Sequence, residues 1–245
     1  MTDLVIGCPV QAREWVLPRW FEHVERACDL EGMDPEFVFV VSMNDEPTLD
    51  LLDRYRRNHI IETILTDEPE RKDERHWDKK RYEHMVVLRN ALLHRVRQIS
   101  PKYFWSLDSD ILPSDEALFE VIENFDEFDA VGMLAYMDPH AGGIGNRWEV
   151  GRAYASKGDI YQNRLVNRAH QEGETTHKVQ VIMASKVMKR PAYMVDYRTH
   201  VQGEDVGWSL ACGEAGLKLG WCPEAVCKHV MSPAALDVYD ARVGF

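Results

Sequence analysis

The chain has 245 residues, 45% of them hydrophobic, which is enough for one sizeable core and suits one large α/β domain better than two small ones. A net charge of -12 excludes a general nucleic-acid or membrane-surface binder, whose attraction rests on clustered Lys and Arg. No run approaches the roughly 20 apolar residues of a membrane-spanning helix, and no cationic segment leads the short apolar run after Asp3 as a signal peptide requires. Five cysteines outside any secretory context read as reduced thiols, so the expectation is a soluble, cytoplasmic protein.

In chain order, Asp3 to Gly7 (DLVIG) reads as a strand. A tight loop at Cys8 and Pro9 follows, then a helix with apolar positions Trp15, Leu17, Trp20, Phe21 and Val24. Phe37 to Ser42 (FVFVVS) is the continuous apolar run of a strand covered on both faces in a parallel sheet. Asn44 to Pro47 close it, Thr48 is the expected cap of a helix through Tyr55, and Ile60 to Leu65 forms a third strand. Asp67 to Lys80 is charged enough for a solvated loop or helix start. From Arg81 to Ile99 a helical stripe of Met85, Leu88, Leu92, Val96 and Ile99 also contains Arg81 and Arg89. A buried arginine needs an anion, which is a core carboxylate, a bound phosphate or the aspartates that come next, unless the side chain snorkels off the stripe's end.

Those aspartates close the run Tyr103 to Pro113 (YFWSLDSDILP), where a strand held to its end would project Asp108 and Asp110 from one face. Two such carboxylates repel unless a cation, a proton or a cationic ligand separates them, and magnesium or manganese prefers oxygen ligands and often shares them with a bound phosphate. A helix from Ser114, as cap, to Asn124 and a strand from Asp129 to Tyr136 follow. Met137 to Lys178 is rich in Gly, Asn and charge, with a turn at Gly142, Gly143 and Gly145. Val179 to Ala184 reads as a strand, and a short helix in the run through Tyr193 is ended by Pro191. Glu204 and Asp205 open a helix over Val206 to Ala215, after Gly203 and before a capping Gly216. Leu217 to Trp221 is a strand closed by Cys222 and Pro223, and Ala225 to Val230 carries His229 outward. The tail from Ala234 to Phe245 has no core periodicity. Cys212, Cys222, Cys227 and His229 lack the paired short knuckles of a structural zinc site.

The strand ending in the only DxD of the chain, the later ED pair at a helix start and the late histidine together resemble the GT-A fold glycosyltransferases of the family 2 type, which move a sugar from a nucleotide donor to an acceptor. The likeness runs from Leu4 to about Pro233 and is strongest in FWSLDSDILP and GEDVGWSLACGEAGLKLGWCP; HMVVLRNALL with FWSLDSD is also similar to the Anp1-type mannosyltransferases. It implies a single Rossmann-like α/β domain with a mixed, mostly parallel sheet flanked by helices. The nucleotide-binding part lies at about 1–113, the acceptor-binding part at about 114–233 and a tail at 234–245. It further implies Asp108, Asp110 and His229 around Mn2+ or Mg2+, with Asp108 also near the ribose. Cys8, Pro9, Val10, Asn44, Asp45, Arg81, Arg89 and Asn90 would lie at the nucleotide, and Asp205 or Glu204 would be the base of an inverting transfer. Trp208, close behind the acidic pair, would line an acceptor pocket. The acceptor is open among a glycan, a protein, a small molecule and a modified nucleic acid. No GxGxxG or Walker pattern occurs, so dinucleotide and P-loop functions are set aside. The rival readings are a metal-dependent phosphohydrolase or nucleotidyltransferase and a non-catalytic GT-A shell that binds nucleotide-sugar.

Overall fold

Strand β1 (Leu4–Val10) is the axis of the sheet, parallel to β2 (Glu36–Ser42) on one side and to β4 (Tyr103–Ser106) on the other. The computed structural model describes residues 2–67, 79–137, 153–154, 160–161 and 177–241. Beyond β2 lies β3 (Ile61–Thr66), again parallel. Beyond β4 come β10 (Lys186–Met188), β6 (Ala130–Met137), β11 (Leu219–His229) and β5 (Ile111–Pro113), giving the order β3-β2-β1-β4-β10-β6-β11-β5, with β9 (His177–Val179) also on β11. The described sheet is mixed, its parallel ladders long and its antiparallel ones three residues each. A separate short pair joins β7 (Ala153–Tyr154) and β8 (Ile160–Tyr161).

The alternation of β2 sorts its side chains between two cores. Phe37, Phe39 and Val41 pack with Trp20 and Phe21 of helix α1 (Leu17–Glu31). Val38 and Val40 pack with Leu88, Leu92, Leu93 and Val96 of α3 (Lys79–Ile99) on the opposite face. Helices α2 (Glu46–Tyr55), α4 (Ala117–Glu123), α5 (Arg190–Tyr193), α6 (Glu204–Glu214) and α7 (Pro233–Ala241) complete the described elements. None of the described helices is long and apolar enough to cross a membrane. All five cysteines are buried free thiols, and burial pushes Cys28, Cys212 and Cys227 up to about 12.

Gly7 explains how closely β1 and β2 pack against α3. A Cβ built there would lie 2.2 Å from the Val38 carbonyl oxygen and 3.1 Å from Leu92 Cδ1. The backbone must move to admit it, so Gly7→Ala is expected to cost about 2–4 kcal/mol of stability, read as a lower midpoint in urea. A midpoint unchanged from wild type would show that the β1–β2 contact is looser than described.

Several sequence expectations are corrected in detail. β1 continues to Val10 because its ladder with β2 runs on to Val41, so Cys8, Pro9 and Val10 end a strand instead of forming a loop. Asp45, and not Thr48, caps α2 by accepting from the Thr48 N–H. Ser114 does not cap α4, which begins at Ala117 without a side-chain cap. The strand expected over Val179 to Ala184 is replaced by β9 and β10 with irregular backbone between them, where Ala184 has φ +33°. Pro191 stands in the first turn of α5 instead of ending it. β11 runs through Pro223 because its register against β6 shifts between Cys222 and Val226, and a bulge tolerates a missing N–H. The tail is helical in α7. The Gly142, Gly143 and Gly145 turn and most of the Asp67 to Lys80 and Met137 to Lys178 stretches lie outside the described residues.

Candidate active site

The parallel strands β2 and β4 leave β1 in opposite directions, which makes the crevice beyond the carboxyl ends of β1 and β4 the switch point where open α/β sheets hold ligands. β4 stops at Ser106, so Asp108 and Asp110 do not share a strand face as the alternation suggested. They sit in a turn closed by the Ile111 N–H donating to the Asp108 carbonyl at 3.0 Å, with the Trp20 indole N–H on the same carbonyl at 3.1 Å.

The turn sends the two carboxylates to different partners. Asp108 accepts from Arg89 Nη2 at 2.5 Å, while Arg89 Nη1 donates to Ser106 Oγ at 3.2 Å. Asp110 accepts from Arg13 Nη2 at 3.1 Å and lies 3.4 Å from His229 Nε2. The Val230 N–H donates to the Asp110 carbonyl at 2.7 Å, so the end of β11 and the aspartate turn are tied by backbone as well. Among the described residues no three His, Cys, Asp or Glu side chains converge as a ready metal cage. Asp110 and His229 do face each other, and an aspartate oxygen with an imidazole nitrogen would suit Mn2+ as part of its ligand set.

Arg89 is the buried cation that its place on the α3 stripe foreshadowed, at 2% exposure. Burial alone would lower its pKa, but Asp108, Asp205 and Glu204 outweigh that and hold it charged. Its Nε has no hydrogen-bond partner and lies 4.0 Å from Glu204 Oε1, so Arg89 links the aspartate turn to the acidic pair. That pair opens α6 behind Gly203, whose φ of +116° favours glycine. Asp205 accepts from Lys186 Nζ at 2.6 Å and from the Ala184 N–H at 3.2 Å. Burial opposes its charge, yet Lys186 and Arg89 hold its pKa below the usual carboxylate value. Glu204 is pushed up to about 7, first by burial and then by the charge on Asp205.

Asp45 accepts from the Ala12 N–H at 2.7 Å and so fixes the loop that carries Arg13, while Asn44 is exposed beside it. Arg81 is half-buried on α3, towards its start. Asn90 spends its amide on the backbone of Tyr197, donating at 3.1 Å and accepting at 2.8 Å, and so reaches the site only through that segment. Cys8 is fully buried in the core with its thiol pushed up by burial, which leaves only its backbone to face a ligand. Trp208 is also fully buried, stacked on Tyr197 at 5.8 Å, and does not line an open pocket. Sequence reasoning missed Arg13 and Lys186. Lys186 carried a usable signal, a lone charge inside the apolar run VIMASKVM, of the same kind that singled out Arg89. Arg13 follows β1 in a loop and carried none.

No family model matches the chain, and no curated protein matches it. Solved structures do. TarS 1-349 of S. aureus in complex with UDP-GlcNAc superimposes with a TM-score of 0.61 at 13% identity, over 93% of this chain and 58% of that one. The mannosyltransferase PcManGT from Pyrobaculum calidifontis, in complex with GDP-Man and Mn2+, gives 0.54 at 14% identity over 98% and 61%. The chain thus spans about three fifths of the length of these neighbours. The shared fold is that of GT-A glycosyltransferases, as the sequence motifs implied.

Proposed function

We propose that this chain is a metal-dependent glycosyltransferase that moves a sugar from a nucleoside-diphosphate donor to an acceptor hydroxyl. The observation that carries this reading is the meeting of Asp110 with His229 at the switch-point crevice, with Asp108 in the same turn. Neighbours of the same fold bind UDP-GlcNAc in one case and GDP-Man with Mn2+ in the other, which supports a nucleotide-sugar in this crevice.

In this reading Asp110 and His229 would hold Mn2+ or Mg2+, and Asp108 would contact the ribose or reach the metal through water. When bound, the ion supplies positive charge against the diphosphate that leaves as the sugar–phosphate bond breaks. Arg13 stands beside Asp110 and adds a second cation within reach of the same phosphates. The acceptor hydroxyl is a weak nucleophile near neutrality and must lose its proton to a positioned carboxylate. Asp205 is held ionised for that role, and Glu204 is the neighbouring alternative.

The test is a panel of UDP-, GDP- and dTDP-linked sugars incubated with the chain and Mn2+ or Mg2+. Release of nucleoside diphosphate, together with a free or transferred sugar, is expected for one base and to be lost in EDTA. Release of inorganic phosphate or nucleoside monophosphate from the UDP- and GDP-sugars would instead assign a phosphohydrolase or nucleotidyltransferase. Binding without turnover would assign a non-catalytic shell.

A further inference from the structure

Lys186 is a charged residue with no exposed surface. It lies in the middle strand of an antiparallel triplet, opposite Ser106 of β4 and Gly132 of β6. Its ammonium meets Asp205 Oδ1 at 2.6 Å and lies over two aromatic rings, Tyr197 at 5.5 Å and Trp208 at 5.3 Å. A cation taken out of water this fully is no bargain for the fold, since a methionine of similar volume packs as well without the desolvation. What the charge does is local. With Ala184 N–H on the second oxygen, it fixes both ends of the Asp205 carboxylate.

We propose that Lys186 is a positioning residue for the acceptor-side base, holding Asp205 as an oriented carboxylate that can take the acceptor's proton. This rests on the glycosyltransferase reading above. The other groups facing Asp205 are Arg89 from α3, Glu204 from its own helix and Tyr197 from the segment before α6. Arg89 is shared with Asp108 and Glu204, whereas among the described residues Asp205 is the one carboxylate paired with Lys186. Removing it leaves a buried carboxylate that holds its proton more tightly and is free to turn.

The experiment compares wild type with Lys186→Met, and with Lys186→Gln in case the first does not fold. Nucleoside-diphosphate binding in Mn2+, measured by calorimetry, is expected to stay within about threefold and counts the folded sites. At pH 7, kcat per folded site falls about 100-fold, the scale of a misplaced catalytic group. The acid limb of the kcat profile moves up by a unit or more, so that the deficit shrinks to under tenfold by pH 9. A purely structural lysine would lower the number of folded sites and leave kcat per site and its pH profile unchanged, and that result overturns the proposal. An acid limb that stays in place or moves down also overturns it. A wild-type chain that releases no nucleoside diphosphate from any donor overturns the transferase reading, and this proposal with it. A result confined to the variants overturns the proposal alone.

Discussion

Asp110→Ala is expected to bind UDP or GDP equally with and without manganese, with an affinity in Mn2+ about 100-fold or more below that of the wild type. The carboxylate is the only anionic group facing both Arg13 and His229 among the contacts described, so its removal takes away the proposed oxygen ligand and leaves the Arg13 cation beside the imidazole. Arg13 still attracts diphosphate, which is why the metal dependence vanishes while some binding remains. The fold should survive. The Asp110 carbonyl that accepts from Val230 is backbone and stays, and the lost ion pairs are partly exposed, so a melting temperature within a few degrees of wild type is expected. Calorimetric titration with and without Mn2+ decides the matter, and unchanged manganese-dependent affinity would remove Asp110 from the metal site.

The second large effect is expected at the acidic pair. Asp205→Asn should keep donor binding and lose transfer by about a thousandfold, the range spanned by positioned acid–base groups. The variant leaves Lys186 as a buried cation without its carboxylate, so folding must be followed alongside. The wild-type pH profile supplies an independent check. Asp205 is held ionised by Lys186 and Arg89, so the rate should persist below pH 6. A rate that falls tenfold per unit below about pH 7 would follow Glu204 instead. Glu204 also leaves a mark on stability. Its native carboxyl binds a proton more tightly than the unfolded one, so stability declines as pH rises from about 4.5 to about 7 and then levels off. Glu204→Gln removes that decline and should be more stable than wild type at pH 8 by on the order of 2 kcal/mol, measured by urea unfolding.

The first strands and the helix stripes were legible because burial imposes a period on them. Phe37 to Ser42 is apolar throughout because both faces of β2 are covered, and Arg89 stood out because a cation interrupts an otherwise apolar stripe. The DxD turn, the acidic pair and His229 could be read as a set of residue types, but their partners could not. Which aspartate meets Arg89 and which meets His229 is decided by the turn after Ser106 and by the pairing of β5 with the far end of β11. Neither follows from local preference. The errors in the second half have the same origin. Pro223 and Pro191 signal strand and helix ends locally, whereas a bulge against β6 and a first-turn position absorb them in the fold.

β5 is three residues long, and its described ladder is with the last residues of β11 alone. These two segments lie far apart along the chain, with β6, β10 and α6 between them in sequence. Closing that edge therefore carries a large loop entropy that can be met only after the intervening strands have docked. During synthesis the residues of the aspartate turn emerge long before His229, and the two meet only when nearly the whole sheet is in place. Partly folded or truncated chains thus present Asp110 without His229, and assembly of the crevice becomes a late checkpoint on the folding of the entire domain.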